Sequence, residues 1–295
     1  MKNYRKISKI VTSFDSEAAP GFKIKRAIPN YEFDYVDPFI MLDHFGPKML
    51  KPGEATGVGE HPHRGFETVT FMFDGLIEHR DSNGNFGLLS SGGIQWMTAG
   101  SGVIHSELHP KEFKEKGGKI HGVQLWVNLP ANLKMTKPKY QDLDSSKIPA
   151  VELENGDVKV RVVAGDYFGV KGPASTHTQI AMMHIQISGE KELEFEIPET
   201  FNSFVYVTEG EGFFGESSDH IKAGQMGVFK RSGTTVKIKG SVSEQPLNLL
   251  FISGEPINEP VVSYGPFVMN TQEQIWEAVY DYQSGKMGKI EAEFV

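Results

Sequence analysis

Short candidate strands bounded by glycine, asparagine or aspartate follow one another along the chain, and they constrain its fold more than any other feature. In the first half these segments lie at Glu67–Phe73, Leu76–Arg80, Phe86–Leu89, Gly93–Met97, Val103–Leu108 and Gly118–Asn128. Short runs of β-branched and aromatic residues between turn formers are typical of strands. Glycine (32 residues) and phenylalanine (20 residues) are abundant, whereas long helical patterns are scarce. The sequence therefore predicts an all-β fold.

The second half repeats this pattern. Its candidate strands lie at Val158–Ala164, Thr178–Ile187, Glu192–Ile197, Ser203–Thr208, Gln225–Lys230, Thr234–Ile238 and Leu247–Ser253. Aligning Gly75 with Gly210 matches ETVTFMFDG with NSFVYVTEG, and aligning Gly93 with Gly224 matches the strands that follow. Such strand-by-strand correspondence predicts a duplicated β-barrel or sandwich.

A polar, proline-containing segment separates the two halves. Residues 131–157 contain Pro138, Pro149 and the acidic run from 142 to 144. Proline and polar clusters between patterned segments are typical of connections. We therefore expect a first domain at 1–130, a linker at 131–157 and a second domain at 158–295.

One helix is predicted, at the end of the second domain. Thr271 and Gln274 have the spacing of a capping box, and Gly285 is a natural stop after the last turn. Ile275, Val279 and Tyr282 form an apolar stripe between these signals. The helix is expected at 272–284, packed on a sheet.

Composition excludes several functional classes. The formal net charge of −8 argues against non-specific binding to nucleic acid or to an anionic membrane surface, because both need a basic face. The chain has no cysteine, which excludes disulfides and thiolate chemistry. Neither a secretory leader nor an apolar run of about 18 residues is evident, so a cytoplasmic location is expected.

Two pairs of polar residues mark the candidate site. His61-Pro62-His63 and His105-Ser106-Glu107 each have one residue between the polar partners. Residues i and i+2 of a strand point to the same face, so two such pairs on neighbouring strands would bring three imidazoles and a carboxylate together. Either pair alone fits a polar loop or an exposed edge equally well. Together they favour a metal site.

The internal duplication predicts that this site occurs once. In the alignment of the halves, the four site positions fall opposite residues that form no equivalent cluster: Glu196, Pro198, Val236 and Ile238. A metal ion is therefore expected only in the first half.

The remaining ionisable residues receive structural interpretations. Isolated histidines, expected in core or surface roles, are His44, His79, His109, His121, His177, His184 and His220. Glu67 follows His63 on the next strand, so it is either an outer partner that orients an imidazole or the partner of Arg64 in an ion pair.

Five motifs carry a family resemblance. DPFIMLDHFGP, HPHRGFETVTFMFDG, QWMTAGSGVIHSE, HGVQLWVNLP and GEPINEPVVSYGPFVMNT occur in this order along nearly the whole chain. Together they resemble the pirin family of the cupin superfamily. The resemblance implies two tandem cupin barrels (double-stranded β-helix, or jelly-roll), with one metal ion in the N-terminal barrel. It also implies four ligands, which fall on His61, His63, His105 and Glu107.

The resemblance implies two kinds of activity. Some pirins are similar to quercetin 2,3-dioxygenases, which open a flavonol ring with O2 and release carbon monoxide. Three imidazoles and a carboxylate suit Fe(II), and Mn, Co, Ni, Cu or Zn also fit. An enol hydroxyl bound to such an ion loses its proton more easily, and Glu107 is the natural acceptor.

Other family members are described as regulators. The competing interpretation is therefore a metal- or redox-dependent protein that binds a protein partner, and the third is a cupin without activity. Fold and metal alone do not choose between these functions.

Overall fold

The computed structural model describes residues 2–291, so Met1 and residues 292–295 of the expected domains lie outside the described part. The strands up to the middle of the chain are β1 (Ile7–Thr12), β2 (Phe14–Ala19), β3 (Phe22–Ile28), β4 (Phe39–Leu50), β5 (Gly57–His63), β6 (Phe66–Asp74), β7 (Leu76–Asp81), β8 (Phe86–Ser90), β9 (Ile94–Thr98), β10 (Val103–Leu108), β11 (Gly118–Asn128), β12 (Lys139–Leu143) and β13 (Ala150–Leu153).

The later strands are β14 (Val158–Ala164), β15 (Asp166–Tyr167), β16 (Val170–Lys171), β17 (Ile180–Ile187), β18 (Glu192–Glu196), β19 (Asn202–Glu209), β20 (Glu211–Phe214), β21 (Asp219–Lys222), β22 (Gln225–Phe229), β23 (Thr235–Gly240), β24 (Leu247–Gly254), β25 (Val262–Tyr264) and β26 (Phe267–Met269). Two α-helices, α1 (Lys111–Lys116) and α2 (Gln272–Gln283), and two short 3₁₀ turns at Ser145–Lys147 and Glu154–Gly156 complete the elements. The described chain is predominantly strand, which confirms the all-β prediction.

The chain forms two compact units, which we call the first and second barrels. The first barrel comprises Asp15–Lys25, Phe39–Ser145 and the chain from Ile257 onward. Its larger sheet has the order β12-β9-β6-β11-β4-β3-β2, and its smaller sheet has the order β5-β10-β7-β8. Apolar side chains from both sheets, such as Met72 and Ile77, share one buried cluster.

Of the described residues, the second barrel comprises those up to Phe14, Arg26–Pro38 and Ser146–Pro256. Its sheets have the orders β1-β22-β19-β24-β17-β14-β13 and β18-β23-β20-β21. The main hydrophobic cluster of this barrel draws side chains from both sheets. Because Val236 and Ile238 belong to that cluster, the positions that align with His105 and Glu107 are occupied by buried hydrophobic side chains.

The sheet orders confirm the duplication predicted from the glycine alignment. In the larger sheets, β9-β6-β11-β4 corresponds to β22-β19-β24-β17, and in the smaller sheets β5-β10-β7-β8 corresponds to β18-β23-β20-β21. Every strand pair of the first barrel in these two series has a counterpart in the second. The glycine-bounded segments therefore marked equivalent strands of two copies.

The unit boundaries differ from the contiguous ranges 1–130 and 158–295. Strand β1 pairs antiparallel with β22, so the N-terminal strand completes the second barrel. The chain after Ile257, including α2, belongs to the first barrel. The expected linker 131–157 also contains edge strands, because β12 pairs with β9 and β13 pairs with β14.

The C-terminal helix is confirmed, and it ends one residue before the end of the expected range 272–284. α2 runs from Gln272 to Gln283, and the Thr271 hydroxyl accepts a hydrogen bond from the Gln274 amide while the Gln274 side chain returns to the Thr271 backbone. Within residues 2–291, no helix is long and apolar enough to cross a bilayer.

Two strands form where the local sequence has no strand pattern. β2 includes Glu17–Ala19, and β5 begins at Gly57. Both segments are polar, and their strand conformation comes from pairing with neighbours, which the local sequence does not specify.

Candidate metal centre

Two neighbouring strands bring three imidazoles together. β5 and β10 pair antiparallel, with His105 opposite His61 and Val103 opposite His63. Because residues two apart on a strand share a face, His63 lies beside the His61–His105 pair. One ring nitrogen of each histidine lies within 4.8 Å of the others. The three ring centroids are 4.3 to 4.9 Å apart.

Several ring nitrogens of this group are buried and lack hydrogen-bond partners among the described residues, as expected of atoms that bind a metal ion. His63 and His105 are buried, and His61 is partly exposed. Neither ring nitrogen of His63 nor Nε2 of His105 meets hydrogen-bond geometry with another group in the described residues. Buried polar atoms without partners are rare in folded proteins. The residues present therefore fit a divalent metal ion.

Burial also keeps two of these imidazoles in the form that binds metals. Removal from water lowers the pKa of His63 and His105 well below the usual range, and nearby imidazoles lower it further. The backbone of Pro266 acts in the opposite direction on His63. Both rings are therefore neutral at pH 7, and each retains a lone pair for a metal ion.

The Nδ1 atoms of His61 and His105 both have hydrogen-bond partners. His61 Nδ1 lies 2.7 Å from the Gly59 carbonyl oxygen, so it donates and leaves Nε2 as the ligand atom. A β-bulge at this point, between the pairs His105–His61 and Glu107–Val58, turns the strand. His105 Nδ1 lies 3.0 Å from Nε2 of His79.

The carboxylate of Glu107 lies outside the group of three imidazoles. Its two oxygens accept from Nε2 of Gln124 at 3.3 and 3.1 Å, and the Thr70 hydroxyl lies 3.4 Å from Oε1. The Trp126 indole N–H lies 3.4 Å from the Gln124 oxygen, on the far side of the amide. Glu107 as the fourth ligand stays a prediction.

Glu67 does not serve the site. Thr70 contacts Glu107, and side chains alternate along β6, so Glu67 points to the opposite face of the sheet. Its carboxylate accepts a 2.6 Å hydrogen bond from the Thr98 hydroxyl. The sequence-based assignment of Glu67 as an outer partner of an imidazole is therefore wrong, because it ignored strand parity.

Aromatic rings stand against His63. The rings of Phe66 and Trp126 both lie 5.1 Å from the His63 ring, in edge-on contacts. The two rings also pack on each other at 4.2 Å. Val268 belongs to the same buried cluster as Phe66, so the C-terminal segment supports this wall. The site therefore combines nitrogen donors with an apolar side.

The residue after His63 is tied to the C-terminal helix. The guanidinium of Arg64 donates to the Asp281 carboxylate at 2.9 Å and to the Ser101 carbonyl at 2.7 Å. Arg64 and Asp281 are both buried, so each compensates a charge that would be costly alone. Arg64 therefore pairs with Asp281, and the alternative pairing with Glu67 is wrong.

A buried lysine makes a second tie beside the site. The Lys134 ammonium donates to the Gly65 carbonyl at 2.8 Å, the Asn128 side-chain oxygen at 2.6 Å and the Val268 carbonyl at 3.0 Å. Burial lowers the pKa of Lys134 to about 7. Since the ammonium has three donors and three acceptors here, it holds the loop after His63 against the C-terminal segment.

Sequence reasoning missed several of these partners. Two of the histidines expected to be isolated, His44 and His121, have Nε2 atoms 2.9 Å apart, and a third, His79, contacts His105. Gln124 received no interpretation at all. His79 and Asp81 lie two residues apart on β7, the same spacing as in the two polar pairs of the site. This spacing was the sequence pattern that could have drawn attention to His79.

Two family descriptions match the chain. Pirin matches residues 21–127, and the pirin C-terminal cupin domain matches residues 182–288. Together they cover more than half of the chain, one in each half.

Individual proteins are similar over nearly the whole length. A Pseudomonas aeruginosa protein, provisionally named as a quercetin 2,3-dioxygenase, is 40% identical over 253 residues, which cover 85% of this chain and 87% of that protein. Pirin-1 of Arabidopsis thaliana is 40% identical over 284 residues, covering 96% and 94%. A crystal structure of quercetin 2,3-dioxygenase from Acinetobacter baumannii is 36% identical, with a TM-score of 0.90 and coverage of 97% and 99%.

Proposed function

The chain belongs to the pirin family, and from this premise we propose that it is an Fe(II)-dependent dioxygenase that opens quercetin-like flavonols, or a related enol substrate, with O2. One observation carries the proposal. Three imidazoles converge in the first barrel, and two of them, His63 and His105, have buried ring nitrogens that meet no hydrogen-bond geometry with the described residues. Glu107 lies two residues beyond His105 on the same strand.

The donor set supports the choice of ion. Three imidazole nitrogens with one carboxylate form a site of borderline softness, which suits Fe(II) among the divalent transition metals. His61, His63, His105 and Glu107 would hold it. When bound, such an ion supplies Lewis acidity that makes a coordinated hydroxyl easier to deprotonate.

The chain contributes the base. Glu107 follows His105 by two residues on β10, and in this proposal it accepts the proton from the enol hydroxyl: the substrate O–H bond breaks and a carboxyl O–H bond forms. Gln124 donates to both carboxylate oxygens, which keeps the carboxylate oriented before the proton arrives. In the full reaction one O2 is consumed for each carbon monoxide released.

The aromatic wall supports a flat, apolar substrate. Trp126 is partly exposed and packs on the buried ring of Phe66, so its indole is the ring of this wall that can stack on a flavonol. A buried apolar side also excludes water from the electron-rich enolate, which would otherwise be protonated again.

The test is turnover of quercetin by iron-reconstituted protein. The expected result is loss of flavonol absorbance together with carbon monoxide in a one-to-one ratio, dependent on Fe(II) and O2. The matched control is the Glu107→Gln protein loaded in the same way. Absence of both signals with Fe(II), Mn, Co, Ni, Cu and Zn would contradict the proposal.

A second candidate function is a metal-dependent regulator that binds a protein partner. The observation that favours it is an exposed aromatic surface, which we call the α2 face: Tyr264, Trp276 and Tyr280 are 58%, 56% and 63% exposed. The exposed Glu273 and Glu277 lie on the same helix. Aromatic rings beside carboxylates complement lysine or arginine, so the partner would present a basic segment.

The α2 face is connected to the metal centre. Asp281 of the same helix pairs with Arg64, the residue that follows His63. Loading of the metal would therefore act on the helix through this ion pair. The test titrates metal-free and Fe(II)-loaded protein into a labelled lysine- and arginine-rich peptide.

The regulatory candidate predicts tighter peptide binding by the loaded protein and a loss of binding in Trp276→Ala. Tyr31→Ala is the matched control, because Tyr31 is 95% exposed and lies in the second barrel. Equal affinity of loaded and metal-free protein, or an equal loss in the two variants, would contradict it.

A further inference from the structure

His79 lies directly behind one of the proposed metal ligands. It belongs to β7, the strand that pairs with β10 on the side away from β5, and it stands opposite Glu107 in that register. Nε2 of His79 lies 3.0 Å from Nδ1 of His105. Both imidazoles are 1% exposed, so no water competes for this hydrogen bond at either ring. The ring of Tyr140 packs on the His79 ring at 4.5 Å.

We propose that His79 is a positioning residue for the metal centre: its Nε2 accepts the Nδ1 proton of His105 and thereby directs the Nε2 lone pair of His105 to the metal. The inference deepens the proposed function, because it rests on His105 being a ligand. Orienting partners of ligand imidazoles are usually carboxylates, carbonyls or waters. Here the partner is a second imidazole.

With Nε2 of His105 on a metal ion, the hydrogen bond between the two rings allows one assignment of protons. Nε2 of His105 has no hydrogen-bond partner among the described residues, and it belongs to the ring that joins the three-imidazole group, so this nitrogen is the ligand atom. The proton of the neutral ring then sits on Nδ1, which donates to His79. His79 must accept at Nε2 and carry its own proton on Nδ1.

The orienting role of His79 can be tested by mutagenesis, because His79 acts through its side chain. His61 is oriented by the backbone carbonyl of Gly59, which no side-chain substitution removes. His105 is oriented by a side chain, so the hydrogen bond can be deleted or replaced while the ligand itself is kept.

The test compares three variants of the full chain. His79→Gln keeps an acceptor near the position of Nε2, His79→Asn offers its amide closer to the position of Nδ1, and His79→Leu offers none. Affinity for Co(II) is measured by chelator competition on metal-free protein, and the Co(II) visible spectrum reports the ligand field. Loss of an orienting partner typically weakens metal binding by about 10- to 100-fold.

We expect Co(II) affinity to fall by this factor in His79→Leu and His79→Asn, with an altered Co(II) spectrum in both. The affinity and spectrum of His79→Gln should stay close to those of the wild type. His109→Leu is the matched control: His109 is also 1% exposed, and its Nδ1 lies 2.8 Å from the Leu76 carbonyl, away from the site. Its Co(II) affinity should be unchanged.

Three results would overturn the inference: wild-type affinity in His79→Asn or His79→Leu, equal losses in His79→Gln and His79→Asn, or an equal loss in His109→Leu. If His79→Leu does not fold, the comparison of the Gln and Asn variants decides. A wild-type protein that binds no Co(II) would instead refute the metal centre itself, so the two failures are distinguishable.

Discussion

At the scale of single residues, Glu107 is the side chain with two competing roles. Gln124 donates to both of its oxygens, and the Trp126 indole N–H lies within 3.4 Å of the Gln124 oxygen. The carboxylate therefore has a defined resting position beside the imidazoles. Both proposed roles, metal ligand and base, fall on this one carboxylate.

Glu107→Gln separates these two roles. The amide is nearly isosteric and retains an oxygen donor, while three imidazoles remain, so the variant should keep much of its iron. It should lose about 10²- to 10⁴-fold in flavonol turnover, because an amide does not accept the proton. Iron content and carbon monoxide release are measured on the same sample. Full turnover in this variant would exclude the base role.

His61→Ala tests the ligand group directly. His61 lies opposite His105 in the strand pairing, so its removal takes one of three converging nitrogens. We expect stoichiometric iron to be lost after purification, as measured by elemental analysis. His220→Ala, at an exposed position in the second barrel, is the control and should keep its iron. Undiminished iron in His61→Ala would remove this residue from the ligand set.

At the scale of elements, the turn after β5 is as constrained as the strand itself. Gly65 has φ = +90°, and a Cβ there would lie 1.9 Å from the Val268 carbonyl oxygen. The Lys134 ammonium donates to the backbone carbonyls of both Gly65 and Val268. The loop that follows the ligand His63 is therefore pressed against the C-terminal segment, and only glycine fits.

Gly65→Ala should destabilise the protein more than the matched substitution Gly84→Ala. Gly84 has a similar φ of +80° but open space around its Cβ position, so its cost is the backbone strain alone, about 1–3 kcal/mol. At Gly65 overpacking adds about 1–3 kcal/mol or more. Urea denaturation measures the free energy of unfolding of each variant. Equal destabilisation by the two substitutions would show that the backbone at Val268 can move away from the added Cβ without cost.

Much of the element structure could be predicted from the sequence. Glycine-bounded strands, the duplication and the capped helix follow from local patterns, and the i,i+2 spacing marks His61, His63 and His105. Cross-strand partners could not be predicted in this way, because they depend on register. Gln124 and His79 reach the site only through the pairing of β11 and β7 with their neighbours. Strand parity likewise decides that Glu67 faces away.

At the scale of the whole molecule, one of two duplicated barrels carries the candidate centre. The second barrel has the same strand order, but Val236 and Ile238 lie in an apolar core where the first barrel has His105 and Glu107. The second barrel also takes an edge strand from the N-terminal part of the chain, as β1 pairs with β22. Duplication has thus preserved the topology while the side chains of the two interiors differ.

Metal binding should therefore protect only one copy from hydrogen exchange. On addition of Co(II) to metal-free protein, peptides that cover 57–63 and 103–108 should exchange more slowly. The equivalent peptides, 192–196 and 235–240, are an internal control and should not change. Mass spectrometry measures both sets in one experiment. Equal protection of the two copies would contradict a single site.

The most direct test of the central claim is anomalous X-ray diffraction at the iron edge from crystals of the iron-reconstituted protein. We predict one iron peak for each chain, bounded by ring nitrogens of His61, His63 and His105 and by a carboxylate oxygen of Glu107. A peak in the second barrel, a peak without Glu107 among its ligands, or the absence of bound iron would contradict it.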